Sequence, residues 1–318
     1  MKTEGFRTEC LPLEQVFRKK YVLPKELQLW ESFDNFKNLN VDKRNLFAFF
    51  LFYYNELVGG IIYYEKKYLG IFKLGSSPHT NLAVPYGHLY IKRQENVRTQ
   101  EQLNHIFIHE LTKHILRAGY IRFFILIPPM LTDMREFLWN HWRVVPKYTY
   151  ILDIDHIRKS GIENYFGKKL RNIIKTTKEQ LDIRKINVKQ FYSCYKDTYA
   201  YQQKFPPLSL NFFKRLKQTP GANFIGAFSN GRLTSGVTLI EQKNKSFYIS
   251  SGSKIKYRNS NGVSLILYEY IKYTVEKKTE IHMFDLVGAN TPKVAHYKSI
   301  FEPYLQEYFF AELKPFFV

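Results

Sequence analysis

Two stretches of this chain, far apart, repeat one pattern, and that repetition limits the possible folds more than any other feature. Residues 45–64 read as an aromatic-rich apolar run, a turn at Asn55-Glu56, and a returning apolar run carrying Gly59 and Gly60. Residues 223–241 read the same way: an apolar run, the turn pair Asn230-Gly231, and a returning run with Ser235-Gly236 at the matching place. β-branched and aromatic runs on either side of an Asn turn predict hairpins. Small residues inside the returning strand predict a bulge or a close backbone approach.

The parallel continues downstream. After the first hairpin come β-like runs near 71–74 and 87–91, then a helix over 99–118 with Leu103, Phe107, Leu111 and Ile115 on one face and Gly119 as its stop. A strand at 121–127, the breaker Pro128-Pro129, a helix at 133–141 and a strand at 148–154 complete the half. After the second hairpin come a strand at 246–251, a helix at 263–277 with Val263, Leu267, Ile271 and Val275 in line, a strand at 281–287, a helix at 293–301 and a strand at 304–313. Each half runs hairpin, strand, helix, strand, helix, strand. That predicts an α/β (α+β) chain of two tandem domains, each a mixed, mostly antiparallel sheet flanked by helices. The boundary falls in the polar stretch 155–163, giving domains 1–154 and 155–318.

Charge narrows the partners. The chain of 318 residues has 48 Lys and Arg against 28 Asp and Glu, a net charge of +20. Such an excess favours polyanions: nucleic acid, phosphate-bearing substrates or an anionic membrane face. The plain alternative is a basic surface that keeps the chain in solution. Two cysteines, Cys10 and Cys194, form neither a disulfide framework nor a zinc cluster, and fit a reducing cytoplasm. The N-terminus lacks an apolar signal core, and Asn55 and Glu56 interrupt the longest apolar stretch. The expectation is a soluble cytoplasmic chain, with a membrane surface among its candidate partners.

Three further passages carry a resemblance. They are YTYILDI at 148–154, the basic helix FGKKLRNIIKTTKEQL at 166–181, and FDLVGANTPKVAHYKSIF at 284–301. In this order and spacing they resemble the FemAB-like acyl and aminoacyl transferases, which are two fused domains of the GNAT acyltransferase fold. The resemblance covers most of 120–318. It implies transfer of an acyl or aminoacyl group to an amine acceptor, such as a peptidoglycan precursor or amino sugar. The donor would be aminoacyl-tRNA or acyl-CoA, with no tightly bound cofactor and no metal. The cleft would lie in the second domain.

Candidate site residues follow. Lys168, Arg171, Lys175 and Lys178 share one helix face, beside an apolar face of Leu170, Ile174, Thr177 and Leu181. The resemblance makes Arg171, Lys168 and Lys175 phosphate ligands; the alternative is a solvated face. Lys298 follows Tyr297, matching the family's lysine after an aromatic. Such a cation would stabilise the oxyanion of aminolysis, with Asp285, a carboxylate inside an apolar strand, orienting it. Tyr297 and Tyr248 are expected to line a substrate channel. Arg258 and Gly262 stand where a GNAT pyrophosphate loop would bind the donor, but three residues separate them instead of the usual two. His105 and His109 are spaced as metal ligands can be, yet no HExxH motif follows, so a solvated helix face is expected. Cys194 is expected in the core. The competing function is a non-catalytic nucleic-acid or membrane-surface binder with a degenerate GNAT fold, or a scaffold.

Overall fold

The computed structural model describes residues 4–19, 45–77, 86–242 and 244–315. The chain divides into two compact units, Met1–Lys147 with Glu307–Val318, and Tyr148–Gln306.

In the first unit, β1 (Phe6–Pro12) leads into α1 (Leu13–Arg18). The expected hairpin is present as β2 (Leu46–Tyr53) and β3 (Glu56–Tyr68), with a register shift at Leu51/Phe52 opposite the glycine pair. Gly59 is required there, because a Cβ would stand 2.5 Å from the Phe107 ring. Strands β4 (Phe72–Ser76) and β5 (His88–Ile91) pair with successive parts of β3. Helix α2 (Val97–Arg117) starts at Asn96, whose side chain accepts from the Thr99 N–H at 3.1 Å, and stops before Gly119 at φ 72°. β6 (Tyr120–Ile127), α3 (Arg135–Trp139) and the start of β7 (Arg143–Asp153) follow. β4 runs parallel to β6, and the last strand, β13 (Tyr304–Leu313), returns to pair with β6 antiparallel. The apolar stripe Leu103, Phe107, Leu111 and Ile115 packs with Phe49, Ile61, Phe123 and Trp142 in the core.

The second unit begins within β7. The polar stretch 155–163 is helical: it holds all but the first residue of α4 (Ile154–Ser160) and the first half of α5 (Ile162–Tyr165), turned at Gly161 with φ 79°. Ile154 and Ile157 are buried, which ties the segment to the core. Then come α6 (Lys168–Lys178), β8 (Asp182–Lys185), α7 (Val188–Tyr201), α8 (Leu210–Leu216) and the second hairpin, β9 (Ala222–Ser229) with β10 (Arg232–Gln242). The expected kink is a register shift at Leu233/Ser235. β11 (Lys245–Ser253), α9 (Gly262–Lys277), β12 (Met283–Asp285) and α10 (Pro292–Ser299) complete the unit. Its sheet order is β7-β12-β11-β10-β9-β8, and among the described residues only β11 and β12 run parallel. Its core gathers Leu152, Phe166, Leu170, Ile266, Phe284 and Phe301.

Two predicted elements come out shorter. The strand expected at 281–287 ends at Asp285, because Val287 and Gly288 take φ 47° and 76° and turn the chain away. The helix expected at 133–141 is confined to Arg135–Trp139, with His141 at φ 63° after it.

Candidate active site

The second unit contains a fork. β11 and β12 pair only through Lys245–Phe247 and Met283–Asp285, while β11 continues to Ser253 alongside β10. Beyond Asp285 the chain follows β7 instead: Leu286 N–H donates to Tyr150 O and Ala289 N–H to Tyr148 O, both at 2.8 Å. The two parallel strands therefore separate. In β11, Ile249 is the extra residue of a bulge between Tyr248 and Ser250, next to the point of separation. A bulge there re-aims the flanking side chains.

The first unit has the equivalent strands, β4 and β6, and among the described residues they show no such opening. β4 pairs with β6, and then Ser77 N–H donates to Phe124 O at 3.0 Å, Leu126 N–H to Ser77 Oγ at 2.9 Å, and Gly87 N–H to Leu126 O at 2.6 Å. The fork position is thus closed by the chain's own backbone.

Lys298 fastens the open fork. Its side chain is 6% exposed. Nζ donates to Leu286 O at 2.6 Å, to Gly288 O at 2.9 Å and to Val287 O. An ammonium has three N–H donors, and all are committed. Val287, a β-branched residue in the left-handed region, is strained. The same turn is held from the other side by Asp285 Oδ1, which accepts from Val287 N–H at 2.9 Å, and by Thr149 Oγ1, which accepts from Gly288 N–H at 3.2 Å. Burial pulls the Lys298 ammonium down to about 8, with the Asp285 charge opposing the fall. The three carbonyls, which accept from the charged form, oppose it as well. In this arrangement the three Lys298 N–H groups are spent on the 286–288 turn, and the side chain places a positive charge at the fork.

Asp285 is fully buried. Its Oδ1 also accepts from Thr149 Oγ1 at 2.6 Å, and Oδ2 lies 3.4 Å from Lys245 Nζ. It is a hub for the turn and acts on Lys298 through its field.

Tyr248 and Tyr297 join the cluster. The Lys298 ammonium lies 5.2 Å from the centroid of the Tyr248 ring. Tyr248 OH donates to Ser251 Oγ, and burial pushes this phenol up to about 12. Tyr297 is half-buried, with its hydroxyl 3.2 Å from Ser264 Oγ. Burial, then the neighbouring Tyr248, raise its pKa, so it stays protonated. Whichever oxygen of the Tyr297–Ser264 pair donates, one hydroxyl proton remains uncommitted by that bond.

The other sequence candidates lie elsewhere in the unit. Gly262 opens α9; a Cβ on it would stand 2.8 Å from Ser235 Oγ. Asn261 precedes it at φ 54° and makes no side-chain cap bond, so the first-turn N–H groups of a 16-residue helix are left without one. Ser260 Oγ is buried without a hydrogen-bond partner. This end of α9 thus has the chemistry for a phosphate. Arg258, by contrast, is exposed and stacked 4.5 Å over Tyr201. On α6, Leu170, Ile174 and Thr177 are buried as expected. Lys168, Arg171 and Lys175 are exposed and make no ion pair among the described residues, whereas Lys178 is ion-paired with Glu269 at 2.7 Å.

Thr149, Lys245, Ser251 and Ser264 belong to the cluster and were not foreseen. Only Thr149 carried a signal, as the hydroxyl inside the apolar run YTYILDI. The histidines serve structure: His105 Nδ1 lies 2.9 Å from Glu136 and His109 Nδ1 3.2 Å from Asn140. No metal-binding group of three or more His, Cys, Asp or Glu occurs among the described residues. Cys194 is fully buried, as expected.

This geometry can be set beside known proteins. No family model and no curated protein matches the chain. Solved structures do. FemX superposes with a TM-score of 0.61 at 13% identity, covering 95% of this chain and 96% of its own. A tandem GNAT protein from the clavulanic acid biosynthesis pathway gives 0.55 at 10% identity over 98% of both chains. The C-terminal domain of a putative lysylphosphatidylglycerol synthetase from Agrobacterium fabrum gives 0.53 at 11% identity over 80% of both. The class is therefore a tandem GNAT fold. Within it, the fold is shared with FemX over nearly the whole of both chains.

Proposed function

We propose that this protein transfers an acyl or aminoacyl group from a thioester or ester donor to an amine acceptor, in the fork of the second unit. The observation that carries the reading is the fork itself: a parallel pair that opens beside a fixed cation and protonated phenols. β11 presents a strand edge beyond Phe247 along which an extended donor can lie. The uncapped start of α9, with Gly262 at its first position, receives donor phosphate. Lys168, Arg171 and Lys175 hold the phosphate of the donor or acceptor.

In the reaction, the acceptor nitrogen attacks the donor carbonyl carbon and a C–N bond forms. The carbonyl oxygen gains negative charge, which the Tyr297–Ser264 hydroxyl and the field of Lys298 stabilise. The intermediate collapses, the C–S or C–O bond breaks, and the proton lost by nitrogen ends on the departing thiol or hydroxyl. Lys298 and Asp285 are positioning residues: they keep the fork open by fixing the 286–288 turn.

The test compares thiol release from acetyl-CoA with deacylation of charged total tRNA, each with a panel of amino sugars and peptidoglycan-precursor amines. Acceptor-dependent turnover with one donor, lowered at least tenfold by Tyr297→Phe or Ser264→Ala, is expected. Absence of turnover with both donors, together with salt-sensitive tRNA binding, would instead make the chain a non-catalytic binder.

A further inference from the structure

The β3–β4 hairpin of the first unit ends in a tip that the transferase reading does not use. Tyr68 and Phe72 face each other across the strands, and Leu69, Gly70 and Ile71 form the turn. Leu69 and Ile71 are 73% and 74% exposed, and Tyr68 and Phe72 are 55% and 39% exposed. Hairpin turns are ordinarily polar, built from Gly, Asn and Asp. Here Leu69 sits at φ 52°, a conformation that disfavours a branched apolar side chain. An apolar side chain thus stands at a position where the backbone favours another residue.

Cations stand directly behind the tip. Lys66 and Lys67 are exposed and make no ion pair among the described residues. Lys67 is the direct cross-strand partner of Lys73. Like charges placed opposite one another destabilise a hairpin. Lys73 is partly answered by Glu65 at 4.0 Å and by the Tyr120 ring at 5.8 Å.

We propose that this hairpin is a membrane-surface anchor. Tyr68, Leu69, Ile71 and Phe72 enter the acyl boundary of an anionic bilayer, and Lys66, Lys67 and Lys73 meet the lipid phosphates. The arrangement fits a layered partner, apolar beyond and anionic nearer. A nucleic acid offers nothing to a projecting Leu and Ile, and an apolar protein groove has no use for the lysine collar. No described helix is long and apolar enough to cross a membrane, so the contact is interfacial. The inference is independent of the transferase reading.

The test is co-sedimentation of the full chain with phosphatidylcholine vesicles, with and without 30% phosphatidylglycerol (a composition of about one anionic lipid in three). Binding to the anionic vesicles is expected, at least tenfold stronger than to the neutral ones. Leu69→Ser with Ile71→Ser lowers it about tenfold or more, and Lys66→Gln with Lys67→Gln lowers it severalfold. Lys159→Gln with Lys189→Gln removes the same charge from the second unit and changes binding less than about twofold. All these positions are exposed, and unchanged thermal unfolding verifies the fold of each variant. Absence of vesicle binding overturns the proposal. So does an equal loss from both lysine pairs, which would leave only general attraction. A dimer in sedimentation velocity that the Leu69/Ile71 variant dissociates would assign the tip to a second copy of the chain, and overturn it too.

Discussion

Replacing Lys298 by Met asks whether the fork is held by a clamp. Methionine keeps most of the unbranched apolar stem and removes the ammonium. Two opposing quantities decide the result. Burial lowers the lysine from 10.5 to about 8, which corresponds to roughly 3 kcal/mol at neutral pH. Methionine recovers that cost. Against it stand three bonds from an ion to the carbonyls of Leu286, Val287 and Gly288, each worth about 1.5–3 kcal/mol. The bonds prevail, and the variant loses about 2–5 kcal/mol. For a unit of this size that lowers Tm by roughly 5–15 °C. Thermal unfolding followed by circular dichroism at pH 7 reads the loss, and faster hydrogen exchange at the Val287 and Gly288 amides locates it. The pH dependence has a definite sign. The folded pKa lies below the unfolded one, so between about pH 8 and 10.5 the unfolded chain holds a proton that the folded chain has released. Stability from this group therefore rises with pH through that window. The wild type gains on the variant there. A variant melting within about 1 °C of wild type, with unchanged exchange, would refute the clamp and return the lysine's donors to the chemistry.

Thr149→Val removes a fully buried hydroxyl that both donates to Asp285 and accepts from Gly288 N–H; a loss of about 1–3 kcal/mol in chemical denaturation is expected, with turnover falling alongside. Gly252→Ala places a Cβ 2.5 Å from the backbone of Cys194 and Tyr195, so α7 must shift from the sheet and stability falls by roughly 1–3 kcal/mol. Arg171→Ala, on an exposed position, leaves stability within about 0.5 kcal/mol while KM for the phosphate-bearing substrate rises in steady-state kinetics.

What the sequence made legible follows from the range of the interactions involved. Both hairpins are visible because turn chemistry at Asn55 and Asn230-Gly231 and the flanking apolar runs are local. The helix over Val97–Arg117 is visible because four apolar residues share a face between Asn96 and Gly119. The early end of β12 was missed because it depends on Val287 taking a conformation that its own side chain disfavours, and on Thr149 and Lys298 to keep it there. Lys298, Asp285, Tyr248 and Tyr297 stand close together in the structure. The bonds that Lys298 makes to the 286–288 turn could not be read from the sequence, since a lysine's donors are spent on whichever carbonyls the fold brings to it. The segment 155–163 reads as a polar stretch suited to a domain boundary because its polar residues outnumber Ile157 and Ile162; the helices that bury Ile157 are a tertiary outcome.

The strand β13 makes the first unit discontinuous in the chain. That unit needs Phe309–Leu313 to pair with β6, whereas the second unit is contiguous. Closing the first unit therefore requires a pairing between residues far apart in sequence, a slow kind of contact to form, and the β6 edge stays open until it does.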